Sequence, residues 1–164
     1  MKTETRQIQM DRWSVTSSRP FDEIVSALDA EIGHPDMKEF LPGAEAGSPA
    51  ERKAIVEKAL GPSGFMEFLR LNPGEIVTRE TKGSPRIQRL VIGNPLVMNE
   101  MVKHVPDAAS YAPVTILVAE ESDSVRLSYD TMASLIAPYG SPEASEVARD
   151  LDKKIESLII EVAG

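Results

Sequence analysis

The sequence has no cysteine among its 164 residues. That excludes disulfides, thiolate metal sites, iron–sulfur clusters and a cysteine nucleophile. Histidine is nearly as scarce: there are two, His34 and His104. A zinc site takes three or four protein ligands. The loop His34-Pro35-Asp36 offers one nitrogen and one oxygen, so no metal site is expected. Positive charge is also in deficit. The 18 Lys and Arg stand against 26 Asp and Glu, for a net charge of −8. Binding to a phosphate backbone needs the opposite balance, so no nucleic-acid partner is expected. No run approaches the ~18 apolar residues of a membrane helix. Met1–Gln9 is polar and lacks the apolar core of a secretory signal. These absences lead to the expectation of a cytoplasmic protein with no membrane partner. The glycine-rich loops that cradle phosphates are missing, as is the Gly-x-Ser-x-Gly elbow of serine hydrolases.

What is present is ordinary for a globular chain, with 41% apolar and 27% charged residues. No internal repeat or low-complexity segment interrupts it, and the length suits one domain over residues 1–164. Within that domain, residues 34–60 read as a loop and helix inserted into it. Glycines and prolines from Gly33 to Pro49 break any periodicity and predict a surface loop. Ser48-Pro49-Ala50-Glu51 is a capping box, which predicts a helix ending at Gly61.

Alternation predicts a first strand over 5–16, with a bulge near Asp11–Arg12 where the apolar phase changes. Phe21, Ile24, Val25, Leu28 and Ile32 form one helical stripe, with Ser17 or Ser18 as cap and Pro20 in the first turn. Three strands are predicted over 65–71, 75–81 and 86–92, separated by Asn72-Pro73-Gly74 and by Lys82–Pro85. Asn94-Pro95 opens a helix running to about His104. Val114–Ala119 is apolar on both faces and predicts a central strand. Val125, Leu127 and Tyr129 alternate with polar residues, as in a half-buried strand. A short helix over 131–137, capped by Asp130, precedes a long one from Ser141-Pro142 to Val162. Runs of strands with interposed helices predict an α+β fold: a mostly antiparallel sheet with helices packed mainly on one face.

Four residues stand out as a tentative ligand-binding set. Asn94 sits at a helix start, where an amide can meet a ligand. It is also the natural cap. His104 lies at the end of that helix and could move protons near neutral pH. Tyr111 leads into the central strand and Tyr129 ends its neighbour, so both could carry hydroxyls to a pocket mouth. The methionines Met10, Met66, Met98 and Met101 and Trp13 could line an apolar cavity or simply fill the core. The end of the last helix is apolar on more than one face, at Leu158, Ile159, Ile160 and Val162, and suggests a homodimer.

Several of these stretches resemble the domain-of-unknown-function 302 family. They are Ser63–Met66, Val91–Leu96 followed by Met101 and His104, Tyr111-Ala112-Pro113 with Val114–Ala119, Val125–Asp130, and Leu151–Ile155. The likeness covers roughly residues 60–160. It implies a small α+β domain with a β-α-β(4)-α core resembling one TATA-binding-protein repeat, found in bacterial and archaeal cytoplasmic proteins, some of them dimers. It implies no agreed activity, and leaves the cofactor unknown. Relatives carry an Asp-His pair where this chain has Asn72-Pro73-Gly74, and an acid and an arginine near Ser128–Thr131. The expectation is a small-molecule-binding module without catalysis, forming a homodimer. One alternative is a small enzyme using His104 as general acid/base with Tyr111 or Tyr129. The other is a structural or partner-binding protein.

Overall fold

The computed structural model describes residues 1–73 and 86–164. Among these, five strands form one antiparallel sheet: β1 (Arg12–Ser17), β2 (Met66–Leu71), β3 (Ile87–Gly93), β4 (Val114–Glu120) and β5 (Val125–Asp130). Their spatial order is β1-β5-β4-β3-β2. The register follows the apolar alternation. Leu90 lies opposite Ile116, Val118 opposite Leu127, and Tyr129 between Ile116 and Trp13. One face of the sheet is therefore continuously apolar and buried. The other carries Arg12, Arg89, Leu117 and Asp130, and the edge residues Leu69 and Leu71 are exposed there.

The helices are α1 (Phe21–Glu31), α2 (Met37–Glu45), α3 (Pro49–Ala59), α4 (Pro95–Val102), α5 (Met132–Ile136) and α6 (Pro142–Ala163). α6 is the organising helix. Ser141 caps it by accepting from the Ala144 N–H at 3.2 Å. Ala148, Leu151, Ile155, Leu158, Ile159 and Val162 bury its inner face. Three of the four residues behind the expected dimer thus lie in the chain's own core. Ile160 alone of them is exposed. The breadth of the apolar face is explained within one chain.

Four local expectations change. β1 begins at Arg12, so Ile8 and Met10 lie before the strand and no phase change occurs within it. Ser17 does not cap α1. Its hydroxyl donates to the Ala163 carbonyl and accepts from the Arg19 N–H, joining the end of α6 to the end of β1. Asp130 does not cap α5; it pairs with Arg12 across β1 and β5. Residues 37–45, read as loop, are helical: Asp36 accepts from the Lys38 N–H at 2.9 Å, and Phe40 is buried against Val56 and Met66. Tertiary burial of one ring overrides the local breakers Pro42 and Gly43. The predicted strand over 75–81 lies outside the described residues.

The α2–α3 hairpin leaves and rejoins the sheet at one point. The Gly33 and Gly61 N–H groups both donate to the Phe65 carbonyl at 2.9 Å, and the Glu67 N–H donates to the Gly33 carbonyl. The two backbones touch so closely that a Cβ on Gly33 would stand 2.0 Å from the Ala59 carbonyl oxygen. Only glycine fits there.

Candidate functional site

The hairpin stands against the rest of the fold across an apolar cavity of about 270 Å³. Phe40, Leu41 and Ala44 of α2 form one wall. Val97, Met98 and Met101 of α4 form the facing wall. Gly93, Val114 and the Ala112-Pro113 segment lie at the strand ends, and Leu151 of α6 closes the inner end. The Ala112–Pro113 peptide bond is cis. A register shift in β2 between Glu67 and Leu69 releases Phe68 from the pleat, and its ring lies beside Gly93. A Cβ on Gly93 would come within 3.1 Å of Pro113 and 3.4 Å of the Phe68 ring, so the absence of a side chain there keeps the space open.

Asn94 is the one polar side chain among the lining residues. Its amide is already engaged. Oδ1 accepts from the Leu96 N–H at 2.9 Å, and Nδ2 donates to the Gly64 carbonyl at 3.0 Å. It caps α4 and ties that helix to the turn before β2. Among the described residues, no Lys, Arg, His, Asp or Glu lines the cavity.

The other three singled-out residues are not among the lining residues. His104 is exposed beyond the end of α4, its N–H donating to the Met101 carbonyl. The Tyr111 hydroxyl meets that of Tyr139 at 2.8 Å, with the rings edge to face. This contact, with some burial and Asp107, pushes the Tyr139 phenol up to about 12. The Arg6 guanidinium stacks over the same ring, 4.3 Å from its centre.

Tyr129 is fully buried and donates to Asp152 of α6 at 2.7 Å. Burial first, then the Asp152 charge, drive its phenol well above the ordinary range. The Asp152 carboxylate also accepts the Met132 N–H at 2.7 Å and the Ala133 N–H at 3.0 Å. It thus serves as the missing cap of α5 from another helix. Both tyrosine hydroxyls that acid/base chemistry with His104 would use are bonded to other partners.

A further polar cluster joins α1 to the edge strand. The half-buried Arg70 binds Asp29 and Glu67. Its guanidinium is held above its ordinary value by these two acids, against the opposing effect of burial. Among the described residues, no group of three or more acids, histidines or cysteines is arranged to hold a metal ion. No helix there is long and apolar enough to cross a membrane.

Sequence reasoning missed Phe40, Leu41 and Ala44, because breakers surround them. It also missed Asp152, although a signal was present: a lone acid between Leu151 and Ile155 on the apolar stripe of α6.

No match was found among curated proteins. Among solved structures, the uncharacterized conserved protein DUF302 from Bacillus stearothermophilus is similar in fold. The TM-score is 0.65 and the sequence identity 14%, with 92% of this chain and 97% of that chain covered. The family described as Domain of unknown function DUF302 matches residues 44–162. The match takes in most of the sheet, α4, the cis-proline segment and the whole of α6 but its last residue, and on that extent the chain belongs to this family.

Proposed function

We propose that the protein is a small-molecule-binding module whose site is the apolar cavity between α2 and α4. The observation that carries this reading is a cavity of about 270 Å³ with a single, already engaged polar side chain. Native cores are packed so that voids larger than a water molecule are few. An unfilled apolar space of this size forfeits dispersion contacts that a ligand would restore. Ligand pockets are typically about 300–1,000 Å³ and mostly apolar, and this one stands just below the small end of that range. The cavity wall is supported from behind by a second small core of Phe40, Val56 and Met66, so the shape is held without a ligand. Of the residues that could move protons, His104, Tyr111 and Tyr129 do not line the cavity, and both tyrosine hydroxyls are bonded elsewhere.

Ala44→Trp is designed to fill the cavity from α2. Native mass spectrometry of the purified protein is expected to show a mass excess that denaturation removes. The excess is expected to disappear in Ala44→Trp, with folding preserved by circular dichroism. An excess that survives in this variant would place the ligand elsewhere and defeat the reading. The same spectra read whether the chain is a monomer or the homodimer that its sequence suggested.

A further inference from the structure

The chemistry of the cavity narrows what it can hold. We propose that the ligand is an uncharged, rigid apolar molecule of about two fused rings, with any polar group confined to its outward end. This rests on the cavity being the binding site.

Charge is excluded by the walls. An ionised group set against these walls would give up much of its water and find, among the described residues, no cation, no acid and no free polar side chain. Burial of an unpaired charge is far more costly than burial of a neutral group. The amide of Asn94, the sole polar side chain, is bonded to Gly64 and Leu96. Pro95, at the first position of α4, has no N–H to offer. The start of this helix is therefore a poor anion site, unlike most helix starts.

Size follows from volume. An apolar cavity of ~150 Å³ holds one benzene ring. About 270 Å³ has room for roughly one ring more. Shape follows from the side chains. Phe40 and Phe68 present ring surfaces, and Met98 and Met101 present thioethers, which favour the edges of aromatic rings. A rigid ring system also loses less conformational freedom on binding than a flexible chain of equal volume.

The test compares two probes of one skeleton, 2-naphthol and 2-naphthalenesulfonate, titrated calorimetrically into the full chain at neutral pH. The naphthol is uncharged there, since a phenol ionises near pH 10. It is expected to bind with one-to-one saturation, on the order of tenfold or more tighter than the sulfonate. Ala44→Trp, and Met98→Trp from the opposite wall, are expected to abolish that binding. Two variants are used so that misfolding of one does not decide the result. If the sulfonate binds within tenfold of the naphthol and either folded variant removes both, the ligand class is wrong while the cavity remains the site. If neither probe saturates, or if binding survives in a folded variant, the cavity reading fails and this inference with it.

Discussion

Leu151 and Asp152 are neighbours on α6, and they face two very different environments. Around Asp152, Tyr129 and the first turn of α5, each polar group is bonded. Around Leu151 there is space, and the one polar side chain has its partners elsewhere. A buried polar network holds backbone and side chains in one arrangement, because any shift leaves a group unpaired. An apolar cavity makes no such demand on its contents beyond size and neutrality. One side of α6 is thus held by paired polar groups, and the other borders open apolar space.

The comparison is broken most severely on the polar side. Asp152→Ala leaves the Tyr129 hydroxyl without its acceptor and the Ala133 N–H without a partner, while the Met132 N–H keeps only its 3.2 Å bond to Tyr129. The expected loss is about 4 kcal/mol in urea unfolding, from the cost of unpaired buried donors. A loss below about 1 kcal/mol would mean that water replaces the carboxylate and that the knot is dispensable. Gly33→Ala attacks the cavity side. Its Cβ would collide with the Ala59 carbonyl oxygen at 2.0 Å, and about 3 kcal/mol of destabilisation is expected from the forced backbone shift. Hydrogen exchange should quicken most in α2 and α3; uniform quickening would show that the hairpin does not open alone.

Smaller changes sharpen the contrast. Tyr129→Phe removes one donor while Asp152 keeps both amides, so about 1 kcal/mol should be lost. Naphthol binding should be unchanged, since Tyr129 does not line the cavity. A phenol titration followed by absorbance separates the tyrosines by environment. Tyr139 is expected to ionise near 12, chiefly through its bond to Tyr111. Tyr129, raised further by burial, should stay protonated throughout. The sign follows from proton binding. An unfolded tyrosine ionises near pH 10. From there to about 12 the unfolded chain holds fewer protons than the folded one. The stabilisation from Tyr139 is thus complete below about pH 10 and fades as pH rises through the folded value. In Tyr111→Phe, Tyr139 should ionise closer to 10; an unmoved titration would remove the hydroxyl pair as the cause.

The parts of this molecule legible in the sequence are those governed by local rules. The Ser48–Glu51 capping box, the Asn94-Pro95 start of α4 and the alternation of Val125, Leu127 and Tyr129 all stand where periodicity and capping put them. Other features depend on distant partners and carry no local mark. α2 exists because Phe40 finds Val56 and Met66. α5 is capped by a residue some twenty positions later. Of the four residues proposed as a set, Asn94 alone borders the cavity, because a cap at a strand–helix junction sits where pockets form. The tyrosines were chosen for their hydroxyls, and those hydroxyls turned to a buried acid and to another tyrosine. Sequence shows which groups can bond, and packing decides which of them do.

The pairing of Gly33 with Gly61 gives the α2–α3 hairpin the character of an exchangeable cassette. The chain departs and returns through adjacent hydrogen bonds to one carbonyl, that of Phe65. Lengthening or replacing what lies between changes the closure entropy only slowly. The ladder of the sheet lies outside this segment, although Phe40 packs on Met66 of β2. Yet this cassette carries Phe40, Leu41 and Ala44, one whole wall of the cavity. The family match begins at residue 44, so Phe40 and Leu41 precede it. Editing one hairpin would reshape that wall while the strand ladder stays as it is.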